Sequence, residues 1–320
     1  MLSSYDLKTF AERLRTIRKS LGYSQNEVSD KTGINSDTLR RLENGMSIPR
    51  FETLEVLSNF YKENLILILD SYKTSNELSY FYDMIDYHIT NADADSIKDT
   101  IASCEKYLSR ANPQLIDARE IKQLMTFFEG IEISYQDNDD AYVLSMDKQI
   151  EALRISIPTF SLKNWNSCKY NSLELRILFS IASLLGILRD CVRSNQIMLM
   201  ILDYLDTSKY AKHYEKLLVI KSFSILSYNS HRLDQHQQAL KYAELGIKFC
   251  IENSIMAELA LLLCRKASAM YHLSMDNYEK YFFQGIELLK IQGKDSLAEQ
   301  YEIILHRYVK SDTNSSVKEL

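Results

Sequence analysis

The first seventy residues carry apolar positions at helical spacing, separated by short polar stops. Phe10, Leu14, Ile17 and Leu21 follow one another at intervals of four, three and four, a single stripe of an amphipathic helix that Gly22 closes. Ser24 with Glu27 three residues later forms a capping box, so a short helix is expected from Gln25 to about Thr32, stopped at Gly33. Asn35 or Ser36 caps a third helix through about Glu43, and Gly45 ends it. Val28, Ile34, Leu39 and Leu42 stand where this helix pair would touch its neighbours. Pro49 breaks the chain before FETLEVLSNFY, with Leu54, Leu57 and either Phe60 or Tyr61 inward. NLILILD then reads as a fifth, largely buried helix.

After SYKTSN, residues 71–76, the stripes lengthen. Helices are predicted over 77–90, 93–110, 114–136, 139–156, 172–191, 194–206, 210–231, 235–253, 255–273, 276–292 and 295–309. In LDQHQQALKYAELGIKFCIEN, Ala239, Tyr242, Gly246 and Phe249 make one stripe, and Leu240, Ala243, Ile247 and Cys250 its neighbour. The small residues Ala239 and Gly246 let another helix approach closely. A long series of helices with short breaks implies antiparallel pairs stacked side by side. The expected organisation is all-α: a five-helix domain over 1–70, a linker over 71–76, a helical-repeat domain over 77–310 and a flexible charged tail over 311–320.

Composition supports helices, since eight Gly and three Pro in 320 residues leave few turn formers for a strand-rich fold. Net charge is −5, and residues 1–70 hold ten basic and ten acidic groups, so an anion-binding surface there must arise by segregation of charge. Five widely spaced cysteines suit neither a disulfide framework nor a zinc spacing and fit a reducing cytoplasm. The charged amphipathic N-terminus does not read as a secretory signal, and no apolar run reaches about 18 residues, so no membrane partner is expected. The signatures of enzymes are missing: there is no H-E-x-x-H, G-x-S-x-G, P-loop or G-x-G-x-x-G, and His231 and His236 lie five apart rather than on one helical face. The acidic clusters at 91–95 and 137–140 fall at helix junctions, where they serve as caps and solvated breaks. Neither catalysis, nor a metal, nor a cofactor is expected.

A helix–Gly–helix at positions two and three of a five-helix unit is helix-turn-helix geometry. The third helix would expose Ser36, Asp37, Arg40 and Arg41 while Leu39 and Leu42 face inward, and such a helix enters a major groove N-terminal end first. Arg41 can donate twice to guanine, Asp37 either accepts from cytosine or simply favours the helix N-terminus, and Arg40 reaches either phosphate or water. Thr38 either touches a thymine methyl or packs internally.

Ser24, Gln25, Glu27, Gly33, Thr38, Glu43, Asn44, Gly45 and Pro49 all fall on a pattern that resembles the XRE-type helix-turn-helix of phage repressors, over roughly residues 8–70. The resemblance implies base contacts by Ser36, Asp37 and Arg41, phosphate contacts by Gln25 and Asn44, and a structural pair between Arg18 and Glu43. The later helices resemble degenerate tetratricopeptide repeats, whose stacking leaves a concave groove suited to an extended peptide. Asn171, Ser224, Tyr228, Asn229, His231 and Arg232 lie on stretches able to face such a groove, where Asn meets both backbone donors and acceptors and Arg holds a carboxylate. Asn171 serves equally as a helix N-cap.

The two parts together resemble the peptide-sensing regulators of the PlcR, Rgg, PrgX and ComR kind, the RRNPP group. That resemblance implies a cytoplasmic, homodimeric transcriptional regulator that binds a palindromic DNA operator and a short quorum-sensing peptide. The repeat domain docking a protein such as an antirepressor, and a scaffold with a vestigial head, remain open alternatives.

Overall fold

The computed structural model describes residues 5–72, 81–82, 84–85, 87–88, 94–110, 118–205 and 211–316. The helix expected over 77–90 and the linker before it fall largely outside these residues, as do 317–320 of the expected tail. Backbone proximity divides the chain into two compact units, Met1–Asp83 and Met84–Leu320. Among the described residues the secondary structure is helical, without strands.

The first unit holds α1 Leu7–Ser20, α2 Gln25–Thr32, α3 Ser36–Glu43, α4 Phe51–Tyr61 and α5 Leu65–Ser71. The capping box of Ser24 and Glu27 is formed, with Ser24 Oγ accepting from Glu27 N at 3.2 Å and Glu27 Oε2 accepting from Ser24 N at 2.7 Å. Asn35, not Ser36, caps α3, its Oδ1 accepting from Asp37 N at 2.8 Å. Phe10, Leu14, Ile17, Val28, Leu39, Leu42, Leu54, Leu57, Tyr61, Leu65 and Leu69 form one core, with Ile34 and Phe60 partly buried against it. Leu21 departs from its expected stripe and is 47% exposed. Helix α1 ends one residue before it, and Gly22, at φ +76°, turns the chain away. Helix α5 is half-buried rather than largely buried, because Leu67 points out while Leu65 and Leu69 point in.

The second unit runs α6 Ala94–Arg110, α7 Ala118–Ser134, α8 Asp139–Ser156, a 3-10 turn Trp165–Ser167, α9 Ser172–Ile187, α10 Cys191–Tyr204, α11 His213–Arg232, α12 His236–Glu252, α13 Leu259–His272, α14 Tyr278–Ile291 and α15 Asp295–Ser316. Each helix packs on the next, and α11 also touches α9 and α13, so alternate helices line up as one face of the stack. Gly246 and Gly285 permit the close approach. A Cβ on Gly246 would stand 2.8 Å from a Leu262 methyl, and one on Gly285 would stand 2.5 Å from Cys264 Sγ. Helix α15 continues through Ser316, beyond the end expected at 309.

One joint recurs. At the ends of α9, α11, α12, α13 and α14 the chain makes a paired closure, as in Asp190 N to Leu185 O at 2.8 Å with Arg189 N to Gly186 O at 3.2 Å. This is a Schellman end, which needs a left-handed residue. Four of the five positions carry side chains: Arg189, Asp234, Ser254 and Ser274 have φ from +53° to +71°, and only Gly293 is glycine. The joints set two boundaries away from expectation. Asp190 Oδ1 accepts from Arg193 N and starts α10 earlier than 194, while the left-handed Glu258 delays α13 to Leu259.

Candidate functional site

In the first unit α1 grips the C-terminal end of α3. Arg18 Nε and Nη2 donate to Glu43 Oε1 and Oε2 at 2.6 and 2.9 Å, and Arg18 Nη1 donates to Tyr23 O at 2.6 Å. Both partners are buried, at 8% and 1% exposure. The hydrogen bond to Glu43 raises the Arg18 pKa, and burial followed by the Glu43 charge pushes the neighbouring Tyr61 phenol up to about 12. Arg15 Nη2 donates to Glu43 O and to Asn44 Oδ1, both at 2.7 Å. These bonds fix how α3 is presented.

On the outer side of α3, Ser36, Asp37, Thr38, Arg40 and Arg41 are exposed, which removes internal packing as the role of Thr38. Asp37 and Arg40 pair with each other, Oδ1 to Nη2 at 2.5 Å, and Arg40 holds the Asp37 carboxyl below its usual range. Arg40 therefore neutralises Asp37, and Arg41 presents its charge outward. Gln25 Nε2 donates to Glu43 Oε2 at 2.7 Å, so this amide joins the buried pair; its expected place was on phosphate. Asn44 Oδ1 is taken by Arg15, which leaves its Nδ2 as the group able to reach phosphate.

In the second unit a cleft of about 380 Å³ opens on the face made by alternate helices. That is within the range of small-ligand sites. Helix α7 contributes Ile131 and Ser134, α9 contributes Phe179 and Ser183, α11 contributes Lys221, Ser224, Tyr228 and Asn229, and α13 contributes Leu261 and Arg265, with Glu258 just before it; His88 also lines the cleft. On α11 the spacing 221, 224, 225, 228 is a single helical stripe.

A polar network forms part of the lining. Ser224 Oγ donates to Glu258 Oε2 at 2.6 Å, and Lys221 Nζ lies 3.4 Å from Glu258 Oε1. Arg265 Nη1 donates to both the carbonyl and the hydroxyl of Ser224, and its guanidinium lies 5.4 Å from the centre of the Tyr228 ring. Burial pushes the Glu258 carboxyl up, but Lys221, Arg265 and the Ser224 hydroxyl outweigh it and hold it at about 2. Asn229 Nδ2 donates to Ser194 Oγ at 2.8 Å and Asn195 Oδ1 at 3.0 Å. Among the buried polar atoms of the lining, Asn229 Oδ1 and Arg265 Nε have no hydrogen-bond partner among the described residues.

Ser224, Tyr228 and Asn229 thus come together in the cleft, whereas three residues expected there do other work. Asn171 caps α9, its Oδ1 accepting from Leu173 N and Glu174 N at 2.9 Å each, because the helix start needs those bonds. Arg232 donates from Nη1 to Gly186 O at 2.8 Å, tying α11 to the end of α9. His231 stacks into a histidine trio with His236 and His272, ring centres 4.4–4.9 Å apart. His231 Nδ1 and His236 Nδ1 share a hydrogen bond of 3.1 Å, and burial lowers the His231 pKa to about 4. Among the described residues no cluster is arranged to hold a metal ion, and no helix is long and apolar enough to cross a membrane. Lys221, Glu258 and Arg265 were not anticipated. Lys221 shares the stripe of Ser224 and Tyr228 and was legible there, while Glu258 and Arg265 enter only through the tertiary stack.

This is the build of a helix-turn-helix head carrying a helical-repeat unit. Residues 14–68 match the helix-turn-helix family model, so the head is a helix-turn-helix domain of the XRE type. No curated relative matches the chain by sequence. Across nearly the whole chain the fold is similar to that of solved RRNPP regulators. Bacillus thuringiensis PlcR, in complex with the peptide PapR7 and DNA, is 12% identical, with 93% of this chain and 99% of that one covered at a TM-score of 0.65. The SHP pheromone receptor Rgg2 of Streptococcus dysgalactiae is 12% identical over 93% and 99%, TM-score 0.54. ComR of S. thermophilus, in complex with DNA and its signalling peptide ComS, is 11% identical over 93% and 99%, TM-score 0.51.

Proposed function

We propose that this chain is a non-enzymatic transcriptional regulator that binds a DNA operator through α3 and is switched by a short signalling peptide held in the cleft of its second unit. The observation that carries the reading is the pairing of two prepared surfaces in one chain. The outer side of α3 is exposed and fixed from behind by Arg18 and Glu43. The cleft is lined by the hydroxyl, amide and guanidinium side chains of Ser224, Tyr228, Asn229 and Arg265. An extended peptide brings unpaired N–H and C=O groups along its whole length, which is the chemistry such side chains meet.

On this reading Ser36, Asp37, Thr38 and Arg41 meet base edges, with Arg40, Asn44 and Gln25 at their margin. Two copies of the chain read a palindromic operator with half-sites one helical turn (~34 Å) or a multiple of it apart. A peptide that fits one arrangement of the repeat unit better than another need supply only about 1–3 kcal/mol of coupling to change operator occupancy roughly 5–150-fold.

The test is DNA selection by the purified chain, with and without synthetic penta- to decapeptide libraries, followed by calorimetry on the enriched pairs. A palindromic site whose affinity shifts with peptide is expected. Operator binding indifferent to every peptide, with no heat on mixing, would leave a protein as the partner of the cleft. No salt-dependent DNA affinity at all would refute the head's role, since about 6–10 phosphate contacts should lose roughly 10³–10⁵ in affinity between 50 and 200 mM salt.

A further inference from the structure

The outer side of α3 carries an ion pair that folding does not account for. Asp37 and Arg40 stand three residues apart, each side chain more than half exposed, and an exposed pair of this kind contributes little to stability. Nor is Asp37 the cap of its helix. Asn35 Oδ1 caps α3 by accepting from Asp37 N, and the Asp37 carboxylate accepts from no backbone N–H among the described residues. Both Arg40 bonds, from Nε at 3.2 Å and from Nη2 at 2.5 Å, converge on one oxygen, Asp37 Oδ1. That leaves Oδ2 an open acceptor and Arg40 Nη1 an open donor within the same exposed pair, neither hydrogen-bonded among the described residues. Arg40 keeps the Asp37 carboxyl below its usual range, so at neutral pH the group accepts and does not donate. The opposite charges also let the pair approach phosphate without net repulsion.

In the major groove only cytosine and adenine offer an N–H, and adenine sets its N7 acceptor beside it, which repels the second oxygen of a carboxylate. Cytosine has no such acceptor, and the guanine paired with it presents O6 and N7, which need a donor. An acceptor joined to a donor is therefore the complement of one C·G pair. We propose that Asp37 and Arg40 read a C·G base pair as a unit, with Asp37 Oδ2 accepting from cytosine N4–H and Arg40 Nη1 donating to the guanine opposite. Arg41, the next residue of the helix, reads a different base position. This inference goes beyond the reading above, in which Arg40 stands at the margin, and it rests on α3 entering the groove.

The experiment selects binding sites from randomised duplex DNA with the full chain and with three variants, all at one fixed salt concentration. The unmodified chain should enrich C·G, by roughly 5–150-fold over each other base pair, at a position that Arg41→Ala leaves untouched. Asp37→Asn, which sets a donor beside the acceptor, should move that position to A·T, because an amide fits adenine N6 and N7. Arg40→Ala should weaken the C·G preference there while the other positions keep theirs. A selected site unchanged by Asp37→Asn overturns the proposal. So does Asp37→Asn tightening every sequence alike, which marks a charge that only opposes phosphate. Arg40→Ala weakening every sequence alike, with the C·G preference intact, makes Arg40 a phosphate contact and overturns the reading of the two as a unit. Enrichment of no sequence by the unmodified chain refutes instead the role given to α3, and this inference falls with it.

Discussion

Replacing Arg18 with methionine tests how the head presents α3. The change keeps most of the apolar stem and removes three donors, two to Glu43 and one to Tyr23 O. The Glu43 carboxylate, 1% exposed, then keeps only the Gln25 amide. Breaking a buried pair by deleting one partner costs about 3–5 kcal/mol, because the other charge stays buried without compensation. Domains of this size have only about 5–15 kcal/mol to lose. At about 1.4 kcal/mol per factor of ten, protection of amides that exchange through unfolding of the head should fall by about two to four orders of magnitude. Hydrogen–deuterium exchange on the full chain reads this directly in peptides from α1 and α3, with the second unit as an internal reference. Operator affinity should fall with it, although none of the altered atoms faces outward. The decisive comparison is Arg18→Met with Glu43→Leu. Removing the stranded carboxylate should recover protection, making the double variant more stable than Arg18→Met alone. A double variant that loses the full sum of both single losses would show that the pair is not coupled and refute the reasoning.

Three further outcomes are expected. Arg41→Ala should cost about 1–3 kcal/mol of operator affinity and relax preference at one base position, as selection from randomised DNA would reveal; uniform weakening across all sequences would instead make Arg41 a phosphate contact. Gly285→Ala places a methyl 2.5 Å from Cys264 Sγ and 2.8 Å from Ala260 O, so α13 and α14 must separate at a cost of about 1–3 kcal/mol, and an unchanged melting temperature would contradict the close packing. His231 has its folded pKa lowered from 6.5 to about 4, chiefly by burial, so the unfolded chain binds the extra proton first; stability should hold above 6.5 and drain away as pH falls from there to about 4. His231→Gln should flatten that slope in a series of thermal melts.

The elements were legible where local chemistry decides them. The Ser24–Glu27 box, the stops at Gly33 and Gly45 and the apolar stripes mark the head, because caps and periodicity act over a few residues. Leu21 was misplaced because a stripe does not say where its helix stops. In the second unit the close approach at Gly246 was readable, since a small residue at helical spacing has few other uses. The cleft was readable only on α11, where one helix supplies Ser224, Tyr228 and Asn229. Glu258 lies outside any helix, in a left-handed conformation that its sequence context does not announce. The histidine trio joins the end of α11, the start of α12 and the end of α13, so the five-residue spacing of His231 and His236 concealed rather than revealed it. Asn171 illustrates the opposite error, a side chain able to serve a ligand that its own helix claims first.

The left-handed joints carry a mechanical implication. In the head, three of them are glycines, Gly22, Gly33 and Gly45, which rotate freely. Along the second unit Arg189, Asp234, Ser254 and Ser274 hold the same conformation with a Cβ attached, which confines each to a narrow well. Corners built this way do not swivel. Whatever presses on the cleft must tilt entire hairpins against their neighbours, so strain introduced at one rung spreads along the ladder instead of being absorbed at the nearest bend.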